Sequence, residues 1–289
     1  MSVLWRKLRV EDARQLRDWL AEREDFACAF AWRLFGEPTD APRFDAGATV
    51  LAGFDGGTIV GAVLFARGGM VFPVFVSPPE REAARVLGRF LSLRIGAPAS
   101  AMGREADVAA FASLARLEPA LSIRYVTMRL DARACALAPV SEPAPDGVRV
   151  RRAGPADLEA LLPLQAAYER EEVLTSMHVF DARVSEAGLV RSLAEQRVWL
   201  AEHEGRPVAK AQTNARGLRM EQAGGIYVEP ALRGRGVGRA LVAALLADIG
   251  SAGRGATLFV KRGNAVARAL YRGLGMEETG PFRIDYWNS

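Results

Sequence analysis

"YVEPALRGRGVGRAL", residues 227–241, decides how this chain is read. It sets Arg233-Gly234-Arg235-Gly236-Val237-Gly238-Arg239 between an apolar strand and an apolar helix. Glycine admits positive φ and lets backbone N–H groups approach a ligand where a Cβ would collide. A helix beginning here offers unpaired N–H groups and the positive end of its dipole. Three arginines add full charges, so the segment predicts a cradle for a pyrophosphate. It is not a Walker loop, because no Gly-Lys-Ser/Thr follows. Nor is it the dinucleotide fingerprint, which needs Gly-x-Gly-x-x-Gly early in a βαβ unit and an acidic residue about 20 positions later. The plainer alternative is a basic helix cap. An Arg-Gly nucleic-acid tail lies in disordered surroundings, unlike this one.

The chain of 289 residues is long enough for two ordinary domains. Half is apolar and a quarter charged, the balance of a globular protein. A net charge of +4 permits an anionic ligand but gives no dense basic face for nucleic acid. Cys28 and Cys135 lie far apart, and His178 and His203 are the only histidines. Neither a zinc site nor a disulfide scaffold is expected from that inventory. The opening MSVLWRKLRVEDARQ lacks a signal-peptide core. No stretch approaches the roughly 20 apolar residues of a membrane span. The expectation is a cytoplasmic protein with no metal, membrane or nucleic-acid partner.

Residues 136–147, ALAPVSEPAPDG, read as a linker because proline recurs and little can pack. This predicts domains at 1–138 and 148–289, joined by 139–147. Each half then opens alike: LWRKLRVEDARQLRDWL (4–20) and VRVRRAGPADLEALLPL (148–164) are strand, basic turn, acidic residue, Leu-spaced helix. A hairpin follows in each, turning at Asp55-Gly56-Gly57 and at Glu204-Gly205-Arg206. A third strand, two helices and a last strand near 123–130 and 281–287 complete both copies. Strands alternating with single helices predict an α/β fold of mixed direction. Gly224 and Gly225, inside a strand, predict a bulge or a close backbone approach.

Arg233-x-x-Gly236-x-Gly238 after a strand resembles the coenzyme A pyrophosphate loop of the GNAT superfamily of acyl-CoA N-acyltransferases. NAVARALYRGLGM (264–276) is similar to that family's later Asn-x-x-Ala-x-x-Leu-Tyr-x-x-x-Gly-Phe helix, with Met276 replacing the phenylalanine. The resemblance covers roughly 148–289. With the internal repeat it implies two tandem GNAT-like domains, each a mixed, mostly antiparallel sheet flanked by helices. It further implies transfer of an acetyl group from acetyl-CoA, the cosubstrate, to a primary amine of a small molecule or peptide. Tyr227, Val228, Arg233, Gly234, Arg235, Gly236, Val237, Gly238, Arg239, Asn264 and Ala267 are then the acyl-CoA contacts. The backbone of 226–228 would pair with the pantetheine amides. The Val228 N–H would polarise the thioester carbonyl, and Tyr271 would protonate the departing thiolate.

The general base is open. Glu221 is the candidate, although the family spacing falls nearer Gln222, which takes no proton; Glu171 and Glu172 are alternatives. Tyr168, Phe180, Tyr286 and Trp287 are candidate acceptor-pocket aromatics. A non-catalytic acyl-CoA sensor or scaffold is the competing reading. In the first half, VSPPEREAARVLGRFL (76–91) sets Arg81 at the place of Arg233 but Glu82, Ala84 and Val86 where the glycines stand. Phe111 falls at Tyr271. The first copy therefore reads as degenerate: structural, a pocket wall or a partner contact.

Overall fold

A computed structural model describes residues 3–36, 48–77, 81–94, 98–137 and 144–287. The first half runs β1 (Leu4–Lys7), α1 (Ala13–Ala21), α2 (Glu24–Phe35), β2 (Thr49–Asp55), β3 (Thr58–Phe65), β4 (Met70–Phe75), α3 (Arg81–Arg94), β5 (Ser100–Arg104), α4 (Glu105–Ala115) and β6 (Leu121–Leu130). A short α5 (Ala132–Ala136) follows. The second half repeats that order: β7 (Val148–Arg152), α6 (Leu158–Tyr168), α7 (Ala182–Glu195), β8 (Val198–His203), β9 (Arg206–Arg216), β10 (Met220–Val228), α8 (Val237–Ser251), β11 (Gly255–Lys261), α9 (Ala265–Gly273) and β12 (Glu277–Tyr286). Each copy opens with two helices, where the sequence pattern separates only one. Residues 139–143 of the expected linker lie outside the described residues.

The repeat extends to individual hydrogen bonds. Arg6 holds Asp12 with both guanidinium nitrogens, at 2.6 and 2.8 Å, and the Arg9 N–H donates to the same carboxylate at 2.8 Å. Arg151 holds Asp157 at 2.9 and 2.7 Å, and the Gly154 N–H donates to it at 2.8 Å. In both copies the arginine holds the carboxyl below its ordinary pKa. The pair ties the first strand to the entry of the first helix, where an anion also suits the helix dipole.

Two compact units result, neither continuous in sequence. One comprises Met1–Met128, Phe259–Ala265 and Glu278–Ser289; the other comprises Arg129–Leu258 and Val266–Glu277. The units thus depart from a division into 1–138 and 148–289. The last strand of the chain serves the first unit, where the strand order is β1-β2-β3-β4-β5-β12-β6. There β12 pairs antiparallel with β5, from Phe282↔Arg104 to Tyr286↔Ser100. Trp287 then meets Phe111 edge-on at 6.3 Å, in a core with Trp5, Phe65, Phe75 and Leu87. Burying such side chains stabilises by about 1.5–3 kcal/mol each, which fixes β12 in place.

In the second unit the strand order is β7-β8-β9-β10-β11. Neighbours run antiparallel from β7 to β10, and β10 pairs parallel with β11. Leu161 and Leu164 of α6, Leu189 of α7 and Val198, Leu200 and Tyr227 of the sheet form one core cluster. On α8, α5 packs so closely that a Cβ added at Gly250 would lie 2.3 Å from the Ala136 backbone N and 2.4 Å from the Cys135 carbonyl carbon. Backbone cannot rotate aside. Gly250→Ala is therefore expected to cost about 1–3 kcal/mol in urea unfolding. Gly188→Ala in α7, with nothing near its Cβ, is expected to be neutral or to stabilise by up to about 1 kcal/mol. Equal losses in both variants would refute this packing account.

Candidate active site

The glycine loop is a turn of residues 233–236 leading into α8, whose N-cap is Gly236. Gly234 has φ +75° and Gly236 φ +88°, a region costly to any residue with a Cβ. A Cβ at Gly234 would meet nothing within 4 Å, and one at Gly236 only the Pro145 ring at 3.7 Å. The glycines therefore serve backbone conformation and leave open space above the helix start. Gly238 is different, since its Cβ would press on Val228 Cγ2 at 3.3 Å. Val237 is buried and anchors the first turn.

The arginines do not act as a uniform set. Arg233 donates from Nε to the Val228 carbonyl at 2.9 Å and from Nη2 to Glu171 at 2.8 Å, with its guanidinium 5.3 Å from the Tyr227 ring centre. Arg239 donates to the Gly273 carbonyl at 3.0 Å. Arg235 is exposed. Asn264 precedes α9 and its N–H donates to the Lys261 carbonyl at 2.9 Å. Ala267 sits one helical turn before Tyr271.

Strand β10 carries the irregularity that Gly224 and Gly225 predict, and for both of the predicted reasons. Its register against β9 shifts between Gln222 and Ala223 and again between Gly224 and Tyr227. A Cβ at Gly224 would lie 2.1 Å from Asn214 Nδ2, and one at Gly225 2.6 Å from Gln212 Cγ. Gly225 has φ +57°. The parallel register with β11 ends at Gln222↔Thr257, whereas β10 runs on to Val228.

Tyr271 is 7% exposed. Burial, with Tyr168 and Glu172 nearby, raises its phenol well above the ordinary value, so it stays protonated at neutral pH. Tyr168, at the end of α6, is pushed up to about 12 by burial, against a stabilising backbone hydrogen bond from Gly225. Beyond it α6 widens into a π-helical turn, Glu169–Val173, closed by Leu174 N–H to the Glu169 carbonyl at 2.7 Å. Such turns recur at functional sites.

Glu221, the sequence candidate for the base, is placed elsewhere. It is fully buried, and Arg197 takes both its oxygens at 2.8 and 3.1 Å. Arg216 and Arg254 each approach it at 3.5 Å. Arg197 also binds Asp248 at 2.6 Å, and the Trp199 indole donates to the other oxygen of Asp248 at 2.9 Å. A carboxylate enclosed by three guanidinium groups is a structural anion. Glu171 is likewise committed, to Arg233. Phe180 lies under the Arg170 guanidinium at 3.9 Å, whereas Tyr286 and Trp287 belong to the first unit.

What the sequence reading passes over is Lys210. It lies on β9 opposite Tyr227, wholly buried, and donates to Gln212 Oε1 at 3.0 Å. Its Nζ is 5.0 Å from the Tyr168 ring centre and 3.1 Å from where a Gly225 Cβ would stand. The one signal was a lysine set between Ala209 and Ala211, on the same face as Val208, in a strand of small and apolar residues at that point.

In the first unit Glu82 pairs with Arg85 at 2.7 Å at the start of α3, and Phe111 is buried in the core. Among the described residues no group of three or more His, Cys, Asp or Glu is placed to hold a metal, and no helix is long and apolar enough to cross a membrane.

Residues 161–276 match the Acetyltransferase (GNAT) family. The chain has a tandem GNAT fold. A tandem GNAT protein from the clavulanic acid biosynthesis pathway aligns over 100% of both chains at 15% identity and TM-score 0.60. A Drosophila protein aligns over 99% of both at 16% identity and TM-score 0.71. A GNAT-family acetyltransferase from Colwellia psychrerythraea covers 98% of this chain and 100% of its own, at 12% identity and TM-score 0.54. No curated relative matches the sequence. At these identities the structural likeness establishes the fold alone, and the family match covers residues 161–276.

Proposed function

We propose that the second unit is an N-acetyltransferase that moves the acetyl group of acetyl-CoA to a primary amine. The observation that carries this reading is the pair of positive-φ glycines, Gly234 and Gly236, leaving open space at the N-terminus of α8. A pyrophosphate fits there: backbone N–H groups face it, the helix dipole favours it and Arg235 adds charge. The outer part of β10, at 226–228, supplies backbone groups for a pantetheine arm lying alongside as an added strand. The Val228 N–H is the candidate donor to the thioester oxygen. Tyr271, kept protonated by burial, is the donor to sulfur as the C–S bond breaks. The acceptor is a small molecule or a peptide end.

Calorimetry with acetyl-CoA tests this. One site per chain is expected, and Gly236→Glu should abolish it, since a carboxylate would stand in the phosphate's place on strained backbone. Two sites would mean that the first unit also binds. No binding would remove the acyltransferase reading. Binding without transfer to any amine would instead support an acyl-CoA sensor.

A further inference from the structure

We infer that Lys210 is the general base of the second unit, the group that takes the proton from the acceptor amine. This rests on the acetyltransferase reading above and supplies the role that Glu221 cannot fill. An amine arriving as an ammonium ion has no lone pair, so a neighbouring group must accept its proton before attack. Of the candidate carboxylates, Glu221 is held by Arg197, Glu171 by Arg233, and Glu169 accepts from Gln165 Nε2 at 2.7 Å; Glu172, which lies near Tyr271, is the competing base and is tested below. Lys210 Nζ lies against the β10 bulge, where Gly225 has no side chain to keep it away. Its hydrogen-bond partner, Gln212 Oε1, is a neutral amide rather than a carboxylate.

The groups facing it are few. Tyr168 and Glu169 stand over it from the end of α6, and Gln212 lies beside it on β9. Gly225 faces it from β10, and Gln212 passes the chain of hydrogen bonds on to Ser192 of α7 at 3.1 Å and Asn214 at 3.3 Å. Burial lowers the amine from its ordinary value to about 7, against the opposing pull of Glu169. A base with that pKa is half neutral at neutral pH and regains its proton-accepting form readily. Tyr168, whose ring centre lies 5.0 Å from Nζ, also neighbours Tyr271.

The acceptor ammonium gives one proton to Lys210 Nζ, which passes it to water that enters as the products leave. The freed lone pair forms the C–N bond at the thioester carbonyl as the C–S bond breaks. Tyr271 gives its proton to the thiolate and recovers one from the new amide nitrogen. The products are the acetylated amine and the free thiol.

The test is kcat/KM against pH, with acetyl-CoA and two probes: benzylamine, an ammonium ion at neutral pH, and an arylamine, neutral there. Wild type should gain activity with benzylamine as pH rises through about 7. Lys210→Met should lose about 10²-fold with benzylamine and much less with the arylamine. Imidazole added to Lys210→Ala should restore part of the rate with benzylamine. Lys210→Met should fold, because it removes an amine whose protonation opposes burial: the unfolded chain binds the proton below pH 10.5 and the native one only below about 7. Unchanged calorimetric binding of acetyl-CoA confirms an intact site. Equal losses on both probes, no rescue, or a rise that persists in Lys210→Met and disappears in Glu172→Gln would overturn the inference. Absence of acetyl-CoA binding, or of transfer by wild type, would overturn the acetyltransferase reading with it.

Discussion

Tyr271→Phe is expected to lower kcat by about 10²- to 10³-fold while leaving acetyl-CoA affinity within about twofold. The substitution removes one hydroxyl from a ring that is 7% exposed, so packing on α9 is kept. The phenol is raised by burial, near Tyr168 and Glu172. Its proton is therefore present throughout the neutral range, ready for the departing sulfur. Without it the thiolate must leave as an anion inside an enclosed site, which is costly in low dielectric. Thiol release in steady state, set beside calorimetric affinity, reads the two quantities separately. A variant as active as wild type would show that sulfur is protonated by another route. A loss confined to affinity would make Tyr271 a packing residue of the donor site.

The second large effect is on stability. Glu221→Gln leaves Arg197 in the core with one of its two anions gone, while Arg216 and Arg254 still approach. Removing one partner of a buried ion pair costs about 3–5 kcal/mol, because Arg197 is then left in the core with Asp248 as its remaining carboxylate partner, beside the Arg216 and Arg254 charges. The urea midpoint should fall accordingly. Arg197→Met combined with Glu221→Leu should lose less than the sum of the single changes, since no isolated charge is left at that contact. Activity per folded molecule, and its pH profile, should stay as in wild type for Glu221→Gln. If the profile lost its acid limb with stability unchanged, Glu221 would regain the role of base.

Much of this was legible along the chain. The duplicated order of elements follows from local patterning: Arg6–Asp12 and Arg151–Asp157 keep the same six-residue spacing and the same bidentate contact. Gly234 and Gly236 announce themselves because positive φ restricts the choice of residue at once. Gly224 and Gly225 signal a close approach, but not what approaches. That information sits on the neighbouring strand, in Gln212 and Asn214, and depends on register.

Glu221 and Lys210 show the limit. Glu221 reads by residue type as a base and Lys210 draws no reading at all, yet the fold encloses the first among guanidinium groups and buries the second. Arg197, twenty-four positions away, reaches Glu221 only after β8 and β10 share a sheet. Lys210 becomes a buried, easily deprotonated amine only because Tyr168 and the β10 bulge close over it. The fate of the last strand was hidden for another reason. In a duplicated chain the strands near 123–130 and 281–287 are locally equivalent, and nothing in either pattern says which neighbour it joins. The sequence by itself determined the repeat, the glycine loop and the Tyr271 helix, because each is written in local backbone and side-chain preferences. Only the tertiary structure decided which carboxylate is locked away, which lysine is buried and which unit receives β12, because burial and pairing are made by residues distant in the chain.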